Sequence, residues 1–139
     1  MTIDTGMELC VCGAHMSGLP LNQQLVALGA VRVRTAQTAP LYRFYALTQF
    51  DPPRPGLVRV EQGYSIDVEI WRIPVARFGE FMRKVPSPLC IGHVALADDV
   101  KVLGFLCEAY VVGEAKDISK LGGWRAWIQQ RVDNHAGND

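Results

Sequence analysis

Leu9-Cys10-Val11-Cys12-Gly13-Ala14-His15-Met16-Ser17-Gly18-Leu19-Pro20-Leu21-Asn22 is the stretch around which the chain is organised. An apolar run leads into it, and a pattern with Leu21, Leu25 and Leu28 at helical spacing leaves it. The stretch reads as a strand, a glycine-rich turn and a helix start. Gly13 and Gly18 would let a ligand approach the backbone, because no Cβ blocks the way. Backbone N–H groups ahead of a helix start favour an anion. The turn also carries His15, so a functional site is expected here.

Working outward, residues 8–12 read as a central strand, apolar on both faces. Asn22 reads as the helix cap and Gly29 as its stop. Val31-Arg32-Val33-Arg34-Thr35 alternates like a half-exposed strand, and residues 42–47 form another. Asp51-Pro52-Pro53-Arg54-Pro55-Gly56 reads as a rigid loop, since its prolines remove three donors and no regular strand should pair there. A strand resumes over 57–61. Residues 65–72 give the clearest strand, with Ile66, Val68 and Ile70 on one face and Asp67, Glu69 and Trp71 on the other. Pro74 opens a second helix with the stripe Val75, Phe78, Phe81, Met82 and Val85. Residues 91–97 and 100–112 read as a hairpin about Asp98-Asp99, in which Gly104 marks a bulge or a close approach. A last helix follows Gly122-Gly123 and is covered by Trp124, Trp127 and Ile128.

Strands and short helices in this order lack alternating β-α-β units, which argues against a doubly wound sheet. The expected class is α+β, a small mixed β-barrel with short helices, closed or partly closed. Residues 1–139 read as one domain with loose ends over about 1–7 and 134–139. Apolar residues make up 49% of the chain and charged ones 20%, which suits a water-soluble core-forming domain. Lys plus Arg total 14 and so do Asp plus Glu, so no basic excess points to nucleic acid. Zero net charge gives little protection against self-association, which makes a homodimer plausible. Without a basic N-terminal region, a signal-like apolar segment or a bilayer-length run, the expected location is cytoplasmic, with no membrane partner. Cys10, Cys12, Cys90 and Cys107 sit in apolar segments and form no metal-ligand spacing. They read as buried thiols, and neither metal nor cofactor is expected.

Several side chains could carry chemistry. His15 titrates near neutral pH in its free form and suits proton transfer, but a turn histidine can equally serve only as a hydrogen-bond partner. Ser17 is outside any nucleophile-elbow pattern and reads as a donor to an anion. Glu69 is either an acid lining an interior or one of a solvated pair with Asp67. Glu108 sits in an apolar run, where an arginine partner is as good an explanation as catalysis. Arg43 could clamp a carboxylate. His93 reads as structural, and Gly122-Gly123-Trp124-Arg125 as helix packing.

A larger pattern joins these pieces. The turn is followed in order by Thr38-Ala39-Pro40-Leu41-Tyr42-Arg43-Phe44-Tyr45-Ala46-Leu47, Pro55-Gly56-Leu57, Val68-Glu69-Ile70-Trp71, Pro86-Ser87-Pro88-Leu89-Cys90-Ile91-Gly92, Gly104-Phe105-Leu106-Cys107-Glu108, and Asp117-Ile118 with Gly122-Gly123-Trp124-Arg125. This set resembles the C-terminal domain of allophanate hydrolase over residues 9–128. The resemblance implies a gamma-glutamyl cyclotransferase-like fold. It also implies decarboxylation of the N-carboxycarbamate that an amidase domain releases from allophanate, with His15 matching the histidine of the family's Gly-Ala-His loop.

Read together, residues and resemblance name His15 and Glu69 as catalytic. Gly13, Ala14, Met16, Ser17, Gly18, Leu19, Tyr42 and Arg43 are expected to bind substrate, a small anionic urea- or carbamate-type metabolite. A separate amidase is the expected protein partner. The alternatives are a non-catalytic assembly subunit for that amidase, or gamma-glutamyl-type amine cyclotransfer. The cyclotransferases use a helix glutamate, whereas the amphipathic stripe turns Glu80 outward.

Overall fold

The computed structural model describes residues 5–136. In chain order its elements are β1 (Met7–Val11), α1 (Asn22–Val26), β2 (Val31–Gln37), β3 (Tyr42–Leu47), β4 (Arg54–Arg59), β5 (Asp67–Ile73), α2 (Val75–Met82), β6 (Leu89–Ala95), β7 (Lys101–Cys107), β8 (Lys116–Asp117) and α3 (Trp124–Ala136). The class is α+β. Of the ends expected to be loose, Met7 belongs to β1 and residues 134–136 to α3. Residues 1–4 and 137–139 lie outside the described residues.

β1 is the centre of the main sheet, whose strand order is β2-β5-β1-β7-β6. It pairs antiparallel with β5 and parallel with β7. Leu9, Cys10 and Val11 are all buried, as a strand covered on both faces requires. A second sheet has the order β4-β3-β8. Its inner side chains, Phe44 and Leu57 among them, join Leu9, Val11, Ile66 and Ile70 in one core.

The main sheet curls until its edges touch. The Ala97 N–H donates to Gln37 O and the Ala39 N–H to Ala95 O, each at 2.9 Å, and Thr38 bridges Leu96 between them. The seam ends there. The next donor along it, the Ala95 N–H, goes to the Tyr42 hydroxyl at 2.8 Å, Ala39 O accepts from the Leu41 N–H at 2.7 Å instead, and the chain turns away into β3 of the other sheet. Of the two forms expected from the sequence, closed or partly closed, the closed barrel does not form.

Three local expectations also change. Pro55 and Gly56, expected in a loop, pair with Ala46 and Tyr45. β4 is an edge strand, where a missing donor is tolerated. The strand expected over 100–112 stops at Cys107 and gives way to a 3-10 turn, Ala109–Val111. Asn22 does not cap α1: Leu21 holds the cap position without a side-chain bond, and the Asn22 Nδ2–H donates to His15 O at 2.9 Å.

Gly104 does mark a close approach, between β1 and β6. A Cβ there would lie 2.7 Å from Cys10 Cβ and 2.8 Å from Val94 Cγ2. Gly79, within α2, has nothing within 4 Å of the same position. Gly104→Ala should lower stability by about 1–3 kcal/mol through overpacking. Gly79→Ala should raise it by about 0.5–1 kcal/mol, because alanine loses less freedom on entering a helix. Urea denaturation midpoints check both, and equal midpoints for the two variants would contradict this packing.

Candidate functional site

The turn between β1 and α1 satisfies four of its backbone donors within the protein. The N–H groups of Met16, Leu19 and Leu21 donate to Gly13 O, Met16 O and Ala14 O at 2.8–3.0 Å. The Ser17 N–H donates to Glu69 Oε1 at 2.8 Å. The anion held by this turn is thus a side chain of the protein. The approach at Gly13 is also internal, since a Cβ there would lie 2.3 Å from Pro55 Cδ.

Glu69 projects from β5 on the same face as Trp71 and is only 4% exposed. Its Oε1 accepts the Ser17 N–H and, at 3.0 Å, the Trp71 Nε1–H. Its Oε2 accepts from an Arg125 terminal nitrogen at 3.0 Å. The same nitrogen donates to Ser17 O at 2.8 Å. Burial pushes the Glu69 pKa up, but the Ser17 N–H, the Trp71 N–H and Arg125 outweigh it and hold the carboxyl below its ordinary value. Glu69 is therefore ionised at neutral pH.

Arg125 arrives from the first turn of α3. Trp124 and Trp127 are buried, Trp124 edge-on to Phe44 at 6.1 Å and 4.5 Å from Trp127. The Asp67 N–H donates to Gly122 O at 2.8 Å and ties the approach to α3 to the start of β5. Against Glu69 and Arg125 lies a cavity of about 580 Å³, walled also by Met16, Arg34, Asp67 and Asp98. Arg34 and Asp98 approach to 3.4 Å, and the Gln37 side chain donates to Asp67 at 2.8 Å.

His15 lies elsewhere on the turn and does not line the cavity. Its ring stacks on Phe105 at 5.1 Å and meets Phe81 edge-on at 5.4 Å. Nε2 lies 2.8 Å from the acceptor Gln24 Oε1, so Nε2 carries the proton. Burial pulls the pKa down to about 4. The Gln24 bond opposes that shift, and the Arg54 charge adds to it. The imidazole is neutral at pH 7.

The other expected site residues are dispersed. Met16 lines the cavity, while Ala14 is buried, Gly18 exposed and Leu19 half-buried. Tyr42 is fully buried, and its hydroxyl accepts the Ala95 N–H at 2.8 Å, joining the two sheets. Arg43 pairs with Asp117 at 2.9 Å, away from the cavity. Glu108 and His93 are exposed. All four cysteines are free, and burial pushes the Cys10 thiol up to about 12. Among the described residues, no group of three or more His, Cys, Asp or Glu is placed to hold a metal ion. Among the described residues, no helix is long and apolar enough to cross a membrane.

Arg125 is the cavity residue that the sequence reading passed over as helix packing. The spacing of Trp124 and Trp127 contained the clue. A residue between two buried tryptophans three apart is turned off the packed side of the helix.

Comparison with known proteins adds the family. The sequence pattern of the allophanate hydrolase C-terminal domain matches residues 7–129. Urea amidolyase of Saccharomyces cerevisiae is 38% identical over 130 residues, which is 90% of this chain and 7% of that protein. The solved structure of Kluyveromyces lactis allophanate hydrolase aligns with a TM-score of 0.86 at 39% identity, over 91% of this chain and 21% of that one. A uropathogenic E. coli-specific protein aligns with a TM-score of 0.83 at 37% identity, over 90% of this chain and 97% of its own. The family occurs both within a much longer protein and as a chain of similar size, and this chain belongs to it: the allophanate hydrolase C-terminal domain family.

Proposed function

We propose that the protein acts in urea or allophanate degradation on a small carboxylated carbamate, and that its reaction is loss of CO2 from N-carboxycarbamate. The observation that carries this reading is the Glu69–Arg125 pair on the wall of the cavity. A carbamate presents an N–H beside a carboxylate. An ionised acceptor next to a half-exposed guanidinium is the complementary arrangement. In the reaction the bond between nitrogen and one carboxylate carbon breaks, its electron pair stays on nitrogen, and a proton taken up from solvent completes that nitrogen. The products are CO2 and carbamate. Arg125 offers its donors to the carboxylate that remains, and Glu69 accepts the N–H.

Glu69 suits the role of a fixed acceptor better than that of a general base, which works best with a raised pKa. That preference disfavours the cyclotransfer alternative, although Glu69 does touch the turn, as such chemistry needs. In this reading His15 is a positioning residue: it fixes the turn through Gln24 and two phenylalanines, so that Ser17 meets Glu69. A second reading, an assembly subunit for a separate amidase, is favoured by relatives of which the chain spans 7%.

Glu69→Gln and Arg125→Gln should each lower kcat/KM for CO2 release about 10- to 100-fold, the cost of one charge-assisted hydrogen bond in the transition state. Substrate generated freshly by an amidase, with the unaided decomposition subtracted, provides the assay. Unchanged rates in both variants would remove this reading. His15→Gln should retain much more activity than His15→Ala; equal loss in two folded variants would make the imidazole itself the proton donor.

The neutral state of His15 also predicts a pH dependence of stability. Between pH 6.5 and about 4 the unfolded chain binds a proton that the folded chain does not. The stability held by neutral His15 is present in full above that window. It falls as pH drops through it, by up to about 3 kcal/mol. His15→Gln should flatten this part of the stability profile in urea titrations; an unchanged slope would place the linkage on another group.

A further inference from the structure

A second cavity, of about 410 Å³, shares no lining residue with the one at Glu69. Arg43 of β3, Lys116 of β8 and Lys120 of the 3-10 turn Ser119–Leu121 line it. Two of the chain's four lysines thus meet here, in a protein whose formal net charge is zero. Among the described residues that line it, Asp117 is the one carboxylate. Three cations against one anion leave two positive charges uncompensated, and a cleft lined by one sign of charge concentrates its field on an anion.

Asp117 is already engaged. Its Oδ1 accepts from the Ser119 N–H at 2.9 Å and from the Ser119 hydroxyl, and its Oδ2 accepts from Arg43 Nη1 at 2.9 Å. The Arg43 guanidinium carbon also stands 5.6 Å from the centre of the Tyr64 ring. Asp117 and Tyr64 therefore fix the guanidinium, while its other nitrogens donate to nothing among the described residues. Neither lysine ammonium has a carboxylate within ion-pair distance among the described residues.

Charge and shape indicate the occupant. A phosphate monoester carries about 1.5 to 2 negative charges at neutral pH, on one group with three acceptor oxygens. Cations arriving from three separate elements suit oxygens that point in three directions. A carboxylate offers one charge in one plane. The cavity falls within the size range of small-molecule pockets, and Leu121 and Gln130 complete its wall. A confined basic spot is not the extended basic face that nucleic acid needs.

We propose that Arg43, Lys116 and Lys120 bind the phosphoryl group of a small molecule, with Asp117 and Tyr64 holding Arg43 in place. The inference does not rest on the decarboxylase reading and survives its failure.

Nitrogen-15 NMR of the full chain tests it, following the backbone N–H signals of Ser119, Lys120 and Leu121. The titrants are phenyl phosphate, inorganic phosphate and malonate, with chloride at matched ionic strength. Both phosphates should shift these signals saturably, and malonate should bind about tenfold more weakly or worse. Affinity for phenyl phosphate should rise as pH passes upward through about 6, where a monoester loses its second proton. Arg43→Gln should weaken binding about tenfold, the cost of a charge-assisted hydrogen bond. Lys116→Gln combined with Lys120→Gln, at two exposed positions, should do the same without disturbing the fold. Glu69→Gln should leave binding unchanged. Both orders of affinity between the two phosphates support the site: tighter phenyl phosphate identifies an organic monoester as the occupant, and tighter inorganic phosphate identifies the free ion. Shifts that rise linearly and equally with chloride would overturn the site. So would undiminished affinity in both the arginine and the lysine variants, or a response centred on Arg125. Malonate bound as tightly as either phosphate would overturn the assignment to a phosphoryl group.

Discussion

The carboxylate of Glu69 is the constraint on which the arrangement of the site depends. Its two oxygens collect N–H groups from the β1–α1 turn, from its own strand and from α3, segments up to 108 residues apart. The Trp71 donor, on a buried side chain, would otherwise be left without a partner, at about 1–3 kcal/mol. The arrangement is also specific to register. Glu69 and Trp71 share a face of β5, and a one-residue slip against β1 would turn both to the other side. The register of the main sheet and the position of the turn are thus set together.

This accounts for the two unlike sides of the turn. On one side, Ser17 and Met16 meet a polar wall with charged groups in hydrogen-bond reach. On the other, His15 stands between two phenylalanines and stays neutral. Glycine at position 13 lets the backbone come close enough to Pro55 for the second sheet to brace the turn. A loop held by an internal carboxylate, an edge-strand proline and an aromatic pair needs no external anion to take its shape. The donors that face the cavity and remain open belong to Arg125, whose guanidinium spends only one nitrogen on Glu69 and Ser17.

Strands were legible wherever apolar residues repeat with a definite period. Residues 42–47 match β3 throughout, and the alternation in 65–72 locates β5 to within two residues. β8 was not legible, because a two-residue strand has no period and exists only through its pairing with β3. Barrel closure was not legible either, since it turns on whether residues 38–40 can extend a seam that forms far away in sequence. At the site, the sequence identified Glu69 and the turn, both marked by local chemistry. It could not show that Tyr42 and Arg43 belong to a different sheet from Glu69, nor that the Ser17 N–H is already taken by Glu69. Those facts depend on which strands become neighbours.

The incomplete seam bears on function through geometry. If hydrogen bonding between β2 and the β6–β7 connection continued past Gln37 and Ala97, Arg34 and Asp98 would be drawn into the closure. Instead they stand across a gap of 3.4 Å as side chains and form part of the cavity wall. The α3 start, tied to Asp67 and held by two buried tryptophans, also lines the cavity and delivers Arg125. A fully closed sheet would bury this space under backbone pairing, and a flat one would leave Glu69 in water with its pKa unshifted. A seam that stops at Gln37 and Ala97 gives the intermediate case: a carboxylate shielded enough to be held by three donors, beside an opening wide enough for a small metabolite.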